Sequence, residues 1–468
     1  MKVVRAAEFK AVALKAPEGS RLLHPGIWFL LVWAVVLCTW GLLPETTFRQ
    51  ITGSDRQTSA TGIAYLGLAL SAFIVGTYVG PDFLLTRRGS AAQPILDRGR
   101  AVRILGWMTC IPLAVSGAAL GYIIFNGVSL AGGPAAFADE VASGVSWAHL
   151  ADRYFIPSRI QGITIWVQLN AAVSVLATLG LLIGGGRGTA ARIFIAALIM
   201  GFLFSVIQSF ALNDRLATAE FVVAATIAFI GFRVYGRQPV LTRSVVLWSV
   251  GLLIVLIALW TGGEYARTYL ARYGPALVDD QGNPVEVEQT RDAGGFAGER
   301  FIGYLVSAPN NAIYAVDNFQ NYTYIYRTAK GLFTAASMDS DNAPIFGPGI
   351  AEARLMLRDF YRTPEFTVYS FPGYAYTDLS WGGILVCLWF GLVIGAVHQR
   401  FAMGELWALL VYPFLFVGIL DSWRISYWSE SRMLVPVAFV VLAALLVSQR
   451  SPSVEPHVSR TGQEAVRV

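Results

Sequence analysis

The chain has 468 residues, of which 55% are hydrophobic and only 14% are charged. A soluble domain carries about a quarter charged residues, so this composition excludes an ordinary soluble protein. The net charge of +5 says little about nucleic acid, and we predict no nucleic-acid partner.

Long apolar runs recur along the whole sequence. Each has about 18 residues or more, enough to cross a hydrocarbon core of about 30 Å. The strands of a β-barrel would instead be alternating segments of about 10 residues. The runs therefore predict an all-α polytopic membrane protein with about ten transmembrane helices. In chain order, the predicted spans are residues 26–44, 61–83, 103–125, 161–184, 192–211, 217–235, 244–262, 379–397, 405–421 and 433–449.

Lysine and arginine gather in alternate loops, including the N-terminal segment and the loop between the second and third spans. The positive-inside rule then places both termini in the cytoplasm and the longest loop on the outer face of a bacterial inner membrane. The predicted division is a cytoplasmic segment 1–25, transmembrane helices 1–7 in 26–262, a large periplasmic loop 263–378, transmembrane helices 8–10 in 379–449, and a disordered cytoplasmic tail 450–468.

Three of the short outer loops carry the arginines that we consider for a binding site. Arg215 lies between the fifth and sixth spans, which leave it almost no loop. An arginine at membrane depth usually faces a cavity or a partner, and the adjacent Asp214 is an alternative partner to a substrate. Glu220, about one turn further on, is expected to face the same outward cavity. Arg159 and Arg424, from two other outer loops, are expected to ring this cavity.

The large loop is rich in tyrosine and arginine. Tyrosine rings can stack on sugars, although tyrosine and tryptophan also belong at the membrane interface for structural reasons. Arg354 and Arg358 are four residues apart, so on a helix they would share a face and could bind a pyrophosphate. The alternative is a solvated face paired with nearby acids such as Glu352 and Asp359. The loop is expected to contain short helices, and the sequence indicates neither a metal site nor a nucleotide cofactor.

Three stretches of sequence point to a family. Residues 301–309 read FIGYLVSAP and are followed by Asp-Asn-Phe at 317–319, residues 369–383 read YSFPGYAYTDLSWGG, and residues 213–215 read Asn-Asp-Arg. Together they resemble the large periplasmic loop and the arginine-bearing turn of bacterial oligosaccharide repeat-unit polymerases of the O-antigen type. The spacing from Arg362 to Gly373 is also similar to that of some of these polymerases.

The resemblance implies a metal-independent membrane glycosyltransferase of the GT-C type. It would transfer a glycan from undecaprenyl pyrophosphate to a sugar hydroxyl of a second lipid-linked oligosaccharide. Arginines would neutralise the departing pyrophosphate, and a carboxylate would take the hydroxyl proton. The residues assigned to the pyrophosphate are Arg215 and Arg358, with Arg300, Arg354 and Arg362 beside them. The candidate bases are Glu299, Asp317 and Asp378, and further substrate contacts are Tyr304, Tyr376, Arg159 and Arg424. The implied partners are the polyprenyl-pyrophosphate-linked oligosaccharide, the bilayer and a chain-length regulator protein.

Other functions remain open from the sequence. O-antigen ligases share this layout but use a histidine in the large outer loop, and there is none between Glu264 and Leu379. Another lipid-linked-sugar glycosyltransferase would fit the same residues. A transporter would need polar or ionisable groups near the bilayer midplane, for which the candidates are Gln168, Asn170 and Glu220. A large loop that only docks a partner protein is the non-catalytic alternative.

Overall fold

The fold is helical throughout the part of the chain that can be described. The structure is a computed structural model, and it describes residues 18–84, 98–142, 150–158, 163–186, 188–212, 216–236, 251, 254, 257–258, 260–263, 293–320, 322–324, 326–327, 329 and 368–448. These residues form helices and no β-strand. Among the described residues, eight helices are long and apolar enough to cross a membrane. The chain is therefore an all-α polytopic membrane protein, as predicted.

The α-helices of the described residues are numbered in chain order. The first nine are α1 (Pro25–Leu42), α2 (Glu45–Thr52), α3 (Ala60–Leu84), α4 (Arg98–Leu130), α5 (Pro134–Ala142), α6 (Ile163–Val167), α7 (Asn170–Gly184), α8 (Gly188–Ala211) and α9 (Leu216–Tyr235). The others are α10 (Ala293–Asn318), α11 (Phe371–Leu379), α12 (Gly383–Ala402), α13 (Leu406–Asp421) and α14 (Ser431–Ser448).

The helices follow the predicted spans closely, with two breaks that the hydropathy pattern did not show. The fourth predicted span is divided where α6 ends and α7 begins at Asn170. The chain also breaks between α11 and α12, where Ser380 adopts a positive φ of 53°. The apolar helix α13, with 16 residues, is shorter than the helices of membrane-spanning length. The predicted span 244–262 lies largely outside the described residues.

Helices α3 and α12 pack unusually closely because glycines face each other. Gly76 and Gly80 of α3 lie against the main chain of α12, and Gly391 and Gly395 of α12 lie against the main chain of α3. A Cβ atom at any of these four positions would overlap a backbone atom of the other helix. Two glycines four residues apart on each helix let the two backbones come close together. Inside a membrane the hydrophobic effect does not drive helices together, so this close packing stabilises the pair instead.

Helix α10 lies within the predicted large loop and is longer than the short helices expected there. Between Gly303 and Val316 every side chain except Tyr304 and Tyr314 is buried. It packs against α1, α3 and α11. A helix buried around its whole circumference belongs to the protein interior, not to a solvated surface. Part of the predicted loop is thus built into the bundle.

Several chain reversals meet at one end of the bundle. Helix α1 runs antiparallel to α3, because Gly26 near its start faces Thr77 late in α3. Helix α12 runs parallel to α3, so both start at the end where α1 stops. The end of α13 joins them, since the Phe371 N–H of α11 donates to the Ser422 carbonyl over 2.8 Å. We call this the site end, and the last turns of α10 and α11 lie there.

Candidate functional site

A cluster of aromatic rings ties α3, α10 and α11 together at the site end. The Tyr65 hydroxyl donates to the Pro372 carbonyl over 3.1 Å, and the Tyr376 hydroxyl donates to the Val316 carbonyl over 3.0 Å. The two tyrosine rings are 4.8 Å apart and nearly perpendicular. Tyr322 adds a third ring, 6.2 Å from Tyr376. We call Tyr65, Tyr322 and Tyr376 the tyrosine cluster.

Asp378, one of the predicted bases, lies in the last turn of α11 and is fully buried. Its Oδ1 accepts the Thr323 hydroxyl and, over 3.0 Å, the backbone N–H of Arg327. The Thr323 N–H also donates to the Thr377 carbonyl over 2.9 Å. A buried carboxylate is stabilised by such hydrogen bonds. Asp378 therefore holds the segment that contains Thr323 and Arg327 against α11, which is a positioning role.

Arg327 is held between two tyrosine rings by that segment. Its guanidinium carbon is 5.2 Å from the centre of the Tyr374 ring and 5.8 Å from the centre of the Tyr369 ring. Both distances are within the range of cation–π attraction. The Arg327 Nε is buried and has no hydrogen-bond partner among the described residues. A half-buried guanidinium with a donor to spare is suited to binding an anion.

Asp317, another predicted base, lies in the last turn of α10 beside the tyrosine cluster. It follows Val316, whose carbonyl holds Tyr376. Its side chain is exposed, and its Oδ1 accepts the Ser59 hydroxyl over 2.9 Å. Unlike Asp378, it therefore offers an accessible carboxylate at the site end.

Three other predicted site residues lie near the opposite end of α10. Arg300 is buried, and its guanidinium lies 3.4 Å from the Tyr304 hydroxyl and 5.8 Å from the Phe296 ring centre. Glu299 is next to it in sequence and partly buried. At about 1.5 Å per residue, Glu299 and Asp317 are about 27 Å apart along the helix. The structure therefore does not bring Glu299, Arg300 and Tyr304 together with Asp317, Tyr376 and Asp378.

Arg424, predicted to contact substrate, forms a bidentate ion pair with Asp421. The two nitrogen–oxygen distances are 2.9 and 3.0 Å. Glu220 is 2% exposed and lies 3.3 Å from Arg432, so it pairs with the start of α14. The other predicted site residues, Arg159, Arg215, Arg354, Arg358 and Arg362, lie outside the described part of the chain.

Arg327 and Asn310, which were not among the predicted site residues, also lie at the site end. Arg327 follows an alternating run of tyrosines at 322, 324 and 326, and this run was the available signal. Asn310 is fully buried in α10. Its Oδ1 accepts the Gln57 N–H over 2.7 Å and the Trp40 indole N–H over 3.3 Å. No local pattern distinguishes Asn310 from a surface asparagine.

In the described ranges, no group of three or more His, Cys, Asp or Glu side chains is arranged so that it could hold a metal ion. What the site end offers is the partly exposed rings of Tyr322 and Tyr374, a guanidinium with a spare donor and an exposed carboxylate. Comparison of the chain with models of protein families, with curated proteins and with solved structures finds no match.

Proposed function

We propose that the protein is a membrane glycosyltransferase that polymerises lipid-linked oligosaccharides at the outer face of a bacterial inner membrane. The observation that carries the proposal is Arg327, placed between Tyr369 and Tyr374 and next to the tyrosine cluster, at the ends of apolar helices. The phosphates of a polyprenyl-pyrophosphate sugar lie at that level of a bilayer, and the attached sugars lie just beyond it. The Arg327 guanidinium suits the pyrophosphate, and the partly exposed rings of Tyr322 and Tyr374 suit the sugars.

The orientation follows from the basic residues. Arg98, Arg100 and Arg103 at the start of α4 and Arg400 at the end of α12 lie at the end opposite to the site end. Arg98 contacts Gly185 just after α7, and Phe401 of α12 contacts Gly231 late in α9. The positive-inside rule assigns that end to the cytoplasm. The site end then faces outward, where cytoplasmic nucleotide sugars are absent and a lipid-linked donor is needed.

The chemistry divides between two side chains. Arg327 would neutralise the pyrophosphate as the bond between it and the anomeric carbon breaks. Asp317 would accept the proton of the acceptor hydroxyl as the hydroxyl oxygen bonds to that carbon. The products are the lengthened glycan on the acceptor lipid and free polyprenyl pyrophosphate. Arg215, Arg354, Arg358 and Arg362 remain proposed partners of the same pyrophosphate.

The other predicted residues take supporting roles in this proposal. Asp378 orients Arg327 and does not accept the proton, because it is fully buried and its Oδ1 accepts hydrogen bonds from Thr323 and Arg327. Glu299, Arg300 and Tyr304 are too distant to act on the same bond, so we assign them to sugars further along the glycan. Transport is less well supported, since Glu220, one of the residues on which that interpretation rested, is paired with Arg432.

The test is a glycan ladder made in a host that lacks its own repeat-unit polymerase and is supplied with the cognate lipid-linked repeat unit. Arg327→Ala and Asp317→Asn are expected to collapse the ladder, with activity lowered about 10²- to 10³-fold for the arginine. Arg327→Lys should restore only part of the activity, since lysine lacks the planar fork.

Arg49→Ala is the matched control, because Arg49 is also at the site end but is 61% exposed and paired with Glu45 and Asp55. An unchanged ladder in Arg327→Ala, at equal protein level, would contradict the proposal. If wild type makes no ladder while single repeats still reach the surface, the ligase alternative takes its place.

A further inference from the structure

A cavity lies away from the tyrosine cluster, between the last turns of α4 and α8. Its volume is about 440 Å³. The walls include Val128 of α4, Phe137 of α5, Phe155 of the helical turn Ala151–Phe155, and Ile207 and Phe210 of α8. All the residues that line it are apolar. Gly127 makes room for the Phe155 ring, since a Cβ there would overlap it.

Water is a poor occupant of this cavity. At about 30 Å³ for each molecule, the volume would hold about fifteen waters, and the walls offer them no hydrogen-bond partners. The mouth adjoins side chains that face outward from the membrane-spanning helices, with Phe125 71% exposed on α4 and Leu203 47% exposed on α8. In a bilayer those side chains contact lipid, so the occupant at hand is a hydrocarbon chain.

A polar group borders the apolar wall. Glu140 is three residues after Phe137 on α5, and it accepts the Tyr154 hydroxyl over 2.6 Å. The Arg153 guanidinium lies 3.6 Å from Glu140, and its side chain is 59% exposed. The Tyr154 ring is 6.5 Å from the Phe137 ring, which connects this group to the cavity. One accessible cation and one carboxylate thus lie beside the cavity at the site end.

We propose that this cavity binds one acyl chain of a zwitterionic phospholipid, whose phosphate lies beside Arg153 and whose amine lies beside Glu140. The apolar walls fix the class of tail, and the neighbouring opposite charges fix the class of head group. The site is separate from the tyrosine cluster and does not depend on the glycosyltransferase proposal. A bound lipid would fill the space between α4, α5 and α8 and brace the turn Ala151–Phe155.

The first experiment uses photo-labelling in nanodiscs. The full-length protein is reconstituted with phosphatidylethanolamine that carries a diazirine in its acyl chain, and labelled positions are read by mass spectrometry. Label is expected to concentrate on the last turn of α8 and on Phe155. Ile207→Trp should lower that label severalfold, because it adds bulk at the mouth of the cavity. Ile199→Trp is the matched control on the same lipid-facing side of α8, 57% exposed and outside the cavity.

The second experiment tests the head group. Arg153→Gln should reduce retention of the phospholipid about threefold, which is the scale of one exposed charge contact, and leave a diacylglycerol probe unaffected. Labelling spread evenly along α8, or no difference between Ile207→Trp and Ile199→Trp, would show only ordinary surrounding lipid and overturn the proposal. Stronger labelling by a polyprenyl phosphate probe than by the phospholipid would assign the cavity to a different lipid and also overturn it.

Discussion

Removal of the Asp378 carboxylate should release Arg327 without unfolding α11. In Asp378→Ala the Arg327 N–H loses its 3.0 Å hydrogen bond to a charged acceptor. Hydrogen bonds to charged groups contribute about 1.5–3 kcal/mol, so amide exchange at Arg327 should accelerate about 10- to 100-fold. Thr323 is affected less, because its N–H keeps the Thr377 carbonyl as acceptor at 2.9 Å.

The assay is hydrogen–deuterium exchange in nanodiscs, with fragmentation that resolves single amides in the segment 322–327. The Thr323 amide serves as an internal reference in the same peptide. Asp317→Ala is the matched variant, since Asp317 is an exposed carboxylate at the same end whose observed hydrogen bond is to Ser59. It should leave exchange at Arg327 unchanged.

Two results would refute this reasoning. Unchanged exchange at Arg327 in Asp378→Ala would mean that the carboxylate does not hold the segment. Equal acceleration at Thr323 and Arg327 would mean that the whole segment detaches, so the carboxylate would be a general anchor and not the positioning group of Arg327.

Three further predictions concern stability. Gly391→Ala should destabilise the protein by about 1–3 kcal/mol, because the added Cβ would overlap the Phe73 carbonyl. Gly67→Ala is the control, since a Cβ at Gly67 meets open space. Thermal unfolding in detergent compares the two variants. Arg432→Ala should lower the free energy of unfolding by about 3 kcal/mol, because it removes the observed counter-ion of buried Glu220. Arg49→Ala, the exposed control, should lower it by less than about 1 kcal/mol. A Glu220→Gln/Arg432→Gln double variant should recover part of the loss, and unfolding in denaturant measures all three. Burial lowers the pKa of His24, so the folded state binds a proton less readily than the unfolded state, and melting temperature should fall as the pH drops below about 6.5; a His24→Gln variant with the same pH dependence would contradict this.

Most helix positions could be predicted because a membrane-spanning helix is a local property of the sequence. A run such as 61–83 needs only length and low polarity to be recognised, and α3 begins and ends within one residue of it. The break at Ser380 and the burial of α10 depend on contacts with distant residues. Gly303–Val316 is buried because α1, α3 and α11 surround it, and its own mixed composition does not reveal this.

Some of the residues that lie at the site end could be selected from local sequence. Tyr376 and Asp378 belong to a recognisable short stretch, and Asp317 closes another, so local sequence was enough to select them. The role of Arg327 depends on the contact between Thr323 and Asp378, which are 55 residues apart. Glu299 was grouped with Asp317 by membership of one loop, and only a continuous helix between them shows that they are far apart.

The arrangement of α10 and α11 gives the proposed site a rigid support. A binding site keeps its geometry when it is built on rigid elements and supported by buried hydrogen bonds. Here the closely packed pair α3 and α12 forms the base, Tyr65 of α3 holds α11 at the Pro372 carbonyl, and Asn310 holds α10 against the chain between α1 and α3. The segment with Arg327 is attached to α11 through the Asp378 carboxylate and the Thr377 carbonyl. The Arg327 side chain can therefore change its rotamer while the hydroxyls of Tyr65 and Tyr376 stay bonded to backbone carbonyls. The proposed transfer needs such an adjustment, because the pyrophosphate has to be bound before the reaction and released after it.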